Sequence, residues 1–400
     1  MDIRSRFGLR PVINASGTMT GLGASIVSAP VIDAVAQVLP QFVEIDDLQR
    51  RASAVIAEAC GSEAGYVTAS CSAAITLAIA ATMTGDHPGL IERLPDTRGM
   101  PRSEVVIQTG HLVNYGAPID QAIRLSGARA IPVGAATEAH GYQLDAAITE
   151  HTAAALYVVS HHAVQFGLLT LEEFIAVAHA RGVPVIVDAA SEYDLERFIG
   201  AGADLVLYSA HKFLGGLTAG IVAGTKTLVR AAYFQNGGIG RGMKVGKEGI
   251  VGAIAALEQW RRRDHAAIRA RERGHLTLWR ETLNRHAGVR AEIDADPTGN
   301  PLDRLKLHID ATQARISAWD LADALAHPPA GEAPVIVRDH EAELHFFFLD
   351  PCNLHPGEEQ IVLARIVAEL ERAQRSDQPI VTPFHQRDAR RLASRRNWPD

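Results

Sequence analysis

Four hundred residues exceed what one hydrophobic core usually organises, so a large and a smaller domain are expected. With 47% hydrophobic and 21% charged residues the chain is globular in composition, and a formal charge of -7 argues against a nucleic-acid binder held by a general basic field. Three cysteines (Cys60, Cys71, Cys352) are odd in number and lack metal-ligand spacing, which speaks against a disulfide framework or a zinc site and suits a reducing cytoplasm.

The chain begins Met1-Asp-Ile-Arg without an apolar signal core, and no run reaches membrane-spanning length, so a cytoplasmic location with no membrane partner is expected. Residues 1–30 read as an N-terminal arm with a short extended piece, Pro11 to Asn14, and a small-residue loop, Ser16 to Gly23. Such a loop, with Asn14 and Ser16 at its start, can approach a ligand or another subunit closely. Helical spacing follows over Ala29–Leu39 and Asp46–Cys60. Gly65 to Ser72 reads as strand and tight turn leading into a buried helix that runs to Thr84. The first N–H groups of that helix form an anion site to which Ser70 and Ser72 could add hydroxyls; a serine N-cap without a ligand is the competing reading.

Strands and helices then alternate. Strands are expected at 104–108, 130–133, 154–159, 183–188, 205–208 and 219–223, and helices at 118–125, 144–151, 171–180 and 194–200. Apolar strands separated by helices predict an α/β fold, a three-layer, mostly parallel sheet whose ligands bind beyond the strand C-termini. A glycine-rich loop over 237–249 carries Arg241, Lys244 and Lys247, and a helix with breaks is expected from Ile250 to about Arg290. The remainder reads as a smaller α+β domain: a strand at 303–309, a helix at 317–326, a hairpin of 334–338 with 343–349, and a closing helix at 358–373. The expected divisions are the arm over 1–30, a large domain over 31–260, a small domain with its linking helix over 261–375, and an arginine-bearing polar tail over 376–400, read as partly disordered or clasping another subunit.

Chemistry gathers at strand ends. Lys212 lies just past the apolar strand 205–208, where an ammonium is rarely present for packing and can act as an amine nucleophile. It is read as the lysine that holds pyridoxal phosphate as a Schiff base, against the alternative of a surface turn lysine. Asp188 ends another strand and wants a cationic partner, which a protonated pyridine nitrogen would supply. Ser209 and the Ser70–Ser72 turn would reach the phosphate, and His211 could contact phosphate or substrate. His111, at the end of strand 104–108, could stack on the ring or serve structure alone. His161 and His162 follow strand 154–159 at the same rim. Arg338 is suited to clamp a substrate carboxylate.

These residues stand in segments that resemble fold-type-I pyridoxal phosphate enzymes, and among them the selenocysteine synthase-like group that contains the D-glucosaminate-6-phosphate ammonia-lyases. The segments are Val12 to Thr20, Val43 to Leu48, Thr68 to Ala74, Gly110 to Tyr115, Pro184 to Ala190, Ser209 to Gly216 and Gly240 to Glu248, with looser likeness at Arg338 and Asp350 to Asn353. The resemblance implies that Lys212 and Asp188 are catalytic, with His111 over the ring, and that Ser70, Cys71, Ser72, Ser209 and His211 help to bind the cofactor. Asn14, Ser16, His162, Arg241 and Arg338 are expected at the substrate. It further implies a homodimer or larger homo-oligomer, and a lyase that removes the Cα proton of an amino acid or amino sugar acid and eliminates to a 2-keto acid and ammonia. A racemase or a β-replacement transferase would use the same machinery, and a regulatory protein could keep the cofactor without turnover. No additional N-terminal domain of the kind that holds tRNA is evident, which lowers the transfer-RNA reading.

Overall fold

The computed structural model describes residues 2–396. The chain divides into two compact units, one comprising Ser25–Arg263 with Pro297–Asn300 and the other the remainder. Among the described residues the strands are, in chain order, β1 (Ile13–Ala15), β2 (Ala64–Thr68), β3 (Glu104–Gln108), β4 (Arg129–Val133), β5 (Thr152–Val158), β6 (Val185–Asp188), β7 (Leu205–Ser209), β8 (Gly220–Gly224), β9 (Val289–Ala295), β10 (Asp303–Ile309), β11 (Val335–Val337) and β12 (Phe346–Leu349).

The larger unit is built on a seven-stranded sheet in the order β2-β8-β7-β6-β5-β3-β4. Neighbours from β7 to β4 run parallel, and β8 alone runs against both of its partners. Side chains alternate between two cores, as a pleated strand buried on both faces requires. Val206 and Tyr208 join one core with the helices Ile45–Cys60, Leu171–Ala180 and Lys247–Arg262. Leu205 and Leu207 join the other with the helices Cys71–Thr84, Ile119–Leu125 and Lys226–Phe234. This is the expected three-layer α/β arrangement. Helix Cys71–Thr84 is apolar on every side, Ala74, Ala78, Ile79 and Ala80 being fully buried, because it lies within a layer rather than at its surface.

The smaller unit holds a three-stranded antiparallel sheet, β12-β10-β9, and a two-stranded parallel pair, β1-β11. Its core gathers Trp279, Leu305, Leu307, Phe347 and Ile366. The first 24 residues belong to it, since Ile13, Asn14 and Ala15 register with Val335, Ile336 and Val337. Two expectations are corrected here. The segments 334–338 and 343–349 do not form a hairpin ladder: β11 pairs with β1 and β12 with β10, and a single bridge, Arg338 to Phe348, joins them. The helix with breaks expected from 250 to about 290 is two helices, Lys247–Arg262 and His265–Leu283, the second capped by Asp264 accepting from Ala267 N at 2.9 Å; the correction is to its end, since helix stops at Leu283 and β9 has begun by 289. Gly288, at φ +74°, makes the turn between them where a Cβ would stand 2.4 Å from Ala314 N.

The 237–249 segment is a 3-10 turn over Ile239–Met243 followed by the start of a helix at Lys247. The tail is helical over Phe384–Arg396, with Arg387 over the ring of Trp319 at 5.7 Å and paired with Glu343 at 2.8 Å; residues 397–400 lie outside the described residues. No helix among the described residues is long and apolar enough to cross a membrane, and no group of three metal-ligating side chains is present among them.

Candidate active site

The larger unit assembles its polar groups where parallel strands end. Asp188 is the last residue of β6 and lies opposite Leu207 of β7, and two residues past Ser209 the β7 chain enters the turn of His211 and Lys212. That turn is held by Lys212 N donating to Ser209 O at 3.3 Å, Gly215 N to Lys212 O at 3.0 Å and Gly216 N to Ala210 O at 2.8 Å. Gly215, at φ +69°, occupies the left-handed region that the turn requires. Lys212 is half-buried, and its charge is felt by Asp188, Cys71 and His211.

Asp188 is buried, and burial pushes its carboxyl above the ordinary 3.8 while Lys212, the amide of Ala190 and the thiol of Cys71 pull it back. Both hydrogen bonds go to one oxygen: Oδ1 accepts from Ala190 N at 3.2 Å and from Cys71 Sγ at 3.6 Å. The Cys71 thiol is itself pushed up by burial and by Asp188, so it is a protonated donor.

Cys71 opens the helix Cys71–Thr84, with Ser70 as N-cap accepting from Ala73 N at 3.1 Å. The capping reading of Ser70 therefore holds, and its O–H remains a donor. Ser72 Oγ lies 2.9 Å from the hydroxyl of Tyr115, which burial raises above its ordinary value of 10.0. The turn sits tightly against β8, for a Cβ at Gly220 would come within 2.3 Å of the Ser70 carbonyl oxygen and 2.4 Å of Thr68 Oγ1.

Ser209 and His211 face one another, Oγ to Nδ1, at 3.4 Å. His211 is buried, its carbonyl accepts from Ser25 Oγ at 2.6 Å, and Nε2 has no hydrogen-bond partner among the described residues. Burial, then Lys212, lowers its pKa, so the ring is neutral near pH 7. His111 is also buried; its Nδ1 accepts from Val158 N at 3.2 Å, and its ring meets Tyr157 edge-on at 4.5 Å. Burial lowers it to about 4. A cavity of about 360 Å³ opens beside His111, with Ser160, Gln165, Thr170, Arg197 and Thr298 among its walls.

These groups fit pyridoxal phosphate: a buried carboxylate for a cationic ring nitrogen, an amine on the neighbouring strand end, and a helix N-terminus with an unpartnered imidazole Nε2 for a phosphate. Lys212, Asp188, His111, Ser70, Cys71, Ser72, Ser209 and His211 all belong to this unit. So do His162, whose amide donates to Ser160 Oγ at 3.1 Å, and Arg241, which is exposed. Asn14, Ser16 and Arg338 belong to the other unit. There the Asn14 amide is used within its own loop, donating to Gly17 O at 2.8 Å and accepting from Ser16 N at 2.9 Å. Arg338 is buried over Phe348 with Glu341 at 3.7 Å, and its Nε has no hydrogen-bond partner among the described residues. Tyr115, Gly220 and Ser25 were not among the expected site residues. A phenol just beyond His111 was a usable signal for the first, whereas the other two act through tertiary approach.

The chain is similar to known proteins over most of its length. The chain is 38% identical to a D-glucosaminate-6-phosphate ammonia lyase of Salmonella typhimurium, covering 91% of this chain and 97% of that protein. A solved structure of D-glucosaminate-6-phosphate ammonia-lyase superposes with a TM-score of 0.83 at 38% identity, covering 94% of this chain and 99% of that one. A 5'-C-glycyluridine monooxygenase-decarboxylase from a Streptomyces species is 36% identical over 90% of each chain. The fold is that of the fold-type-I pyridoxal phosphate enzymes. Residues 12–292 match the model of L-seryl-tRNA selenium transferase (SelA), and the chain belongs to that family.

Proposed function

We propose that the protein is a pyridoxal phosphate-dependent lyase that eliminates across Cα and Cβ of a β-hydroxylated amino acid or amino sugar acid, giving a 2-keto acid and ammonia. The observation that carries this outcome over others is the 38% identity to an ammonia lyase along 97% of that relative's length. When bound, pyridoxal phosphate supplies an electron sink for the charge left at Cα when a proton departs. Ser209, the His211 Nε2–H and the first amides of helix Cys71–Thr84 would hold the phosphate. Asp188 would keep the ring nitrogen protonated, and the neutral His111 would lie flat against the ring.

Lys212 Nζ would be the amine that holds the cofactor and, once free, the base that takes the Cα proton. The same ammonium would then give a proton to the departing β-hydroxyl, so one group would serve both proton transfers of the elimination. The water lost is regained when the resulting enamine hydrolyses to keto acid and ammonia. Arg338, with its uncommitted Nε, suits a substrate carboxylate, and Arg241, His162, Asn14 and Ser16 are proposed as further substrate contacts. The proposal includes a homo-oligomer of two or more chains and a cytoplasmic location, which three free thiols accommodate.

A second reading, oxidative decarboxylation, is favoured by the 36% identity to a monooxygenase-decarboxylase. Incubating the loaded enzyme with D- and L-amino acids and amino sugar acids separates the two. Ammonia and keto acid formed without oxygen consumption support the lyase. Carbon dioxide released with oxygen uptake supports the second reading, and Cα deuterium exchange with neither points to a racemase.

A further inference from the structure

Asp188 is a buried carboxylate with an uneven set of partners. Its Oδ1 accepts from Ala190 N at 3.2 Å and Cys71 Sγ at 3.6 Å, and no hydrogen bond to Oδ2 is present among the described residues. The two donors differ in origin. The Ala190 amide comes from the chain two residues on and would be there for any aspartate at a strand end. Cys71 comes from the first turn of helix Cys71–Thr84, on the far side of more than a hundred residues of chain. It is the contact that ties the carboxylate to the helix whose N-terminus is proposed to hold the phosphate.

We infer that Cys71 is a positioning residue for the cofactor: its thiol fixes Oδ1 of Asp188, so that Oδ2 is the oxygen presented to the pyridine nitrogen, in register with the helix end that takes the phosphate. The inference rests on the cofactor reading above. The geometry gives the thiol a reason to be a thiol. Sγ reaches 3.6 Å from Oδ1, a span suited to the longer sulfur bond, and Cys71 and Asp188 are both buried, each 7% exposed. With the thiol gone, Oδ1 would keep only the Ala190 amide, and the carboxylate would turn toward Lys212, whose charge acts on it. The raised thiol pKa keeps the donor proton in place, and the same burial makes the sulfur a poor nucleophile.

The test measures affinity for pyridoxal phosphate by visible absorbance titration of apoprotein, for wild type, Cys71→Ser and Cys71→Val, with thermal unfolding of each apoprotein as control. Wild type must first bind the cofactor; if it does not, the cofactor reading fails and not this inference alone. Given binding, Cys71→Val, which keeps apolar bulk but no donor, is expected to weaken affinity about tenfold, the size of one hydrogen bond to a charged group. Cys71→Ser, which keeps a donor on the same branch, is expected to recover most of that loss although it packs less well. A packing role predicts the opposite order, with valine near wild type and serine worse in both affinity and unfolding temperature. That order, or equal affinity in all three proteins, overturns the inference.

Discussion

Asp188 stands opposite Leu207 in the parallel ladder of β6 and β7, so its carboxylate leaves the sheet beside the turn that carries Lys212. Burial raises this carboxyl above 3.8, so the folded apoprotein binds its proton more tightly than the unfolded chain does. The stability it contributes is therefore full at low pH and lost as pH rises through the folded value. Asp188→Asn removes that loss. The apoprotein is expected to unfold about 2 °C higher at neutral pH, while turnover falls about a hundredfold, near 2.7 kcal/mol of barrier. Calorimetry and steady-state kinetics on one preparation check that the two move in opposite directions.

His111 carries the reverse linkage. Its pKa falls from 6.5 to about 4 on burial, so the unfolded chain takes up a proton that the folded one refuses. Stability from this group is present above 6.5 and lost as pH falls toward 4, with a full value of about 3 kcal/mol. In His111→Phe the acid-side loss of stability should be shallower than in wild type. The flat ring should keep turnover within about tenfold of wild type, whereas His111→Ala should fall further. A kinetic limb near pH 6.5 that vanishes in the phenylalanine variant would contradict a neutral imidazole.

Gly220→Ala tests the turn at Ser70. The new Cβ would meet backbone 2.3 Å away, and the only relief is to push the turn off β8, at about 2 kcal/mol. Cofactor affinity should suffer more than it does for Gly242→Ala, where a Cβ has open space.

In the smaller unit, Arg304 joins two buried carboxylates, Asp296 at 2.7 Å and Asp350 at 2.9 Å. Burial opposes its charge, yet the two aspartates hold its pKa above the ordinary value. Arg304→Met removes the buried cation that both acids share and should destabilise the protein by about 3–5 kcal/mol in denaturant unfolding. The double change Asp296→Asn with Arg304→Met should recover part of that loss.

Much of this site could be read before folding, because its main residues interrupt apolar runs. A charged Asp188 after Val185-Ile-Val and a lysine after Leu205-Val-Leu-Tyr stand where no packing argument puts them. The succession of apolar strands and intervening helices also marked the layered fold. Strand direction was not legible: Gly220–Gly224 is a short apolar run whether parallel or antiparallel. Nor was the partner of β11, since Val335-Ile-Val can pair with any exposed edge and meets Ile13–Ala15 more than three hundred residues away. The Cys71–Asp188 bond and the clearance at Gly220 belong to the same class, set by close approach of distant segments rather than by a local pattern.

The central claim is that Lys212 holds pyridoxal phosphate, and it is tested most directly by reducing purified protein with borohydride in the presence of the cofactor and mapping the modified residue by mass spectrometry. Wild type is expected to carry the visible absorbance of a bound pyridoxal group, to lose it on reduction, and to yield one modified peptide with the label on Lys212. Lys212→Ala is expected to show neither the band nor the label while still folding. A wild type that stays colourless after pyridoxal phosphate is added, or a label on another lysine, would contradict the account.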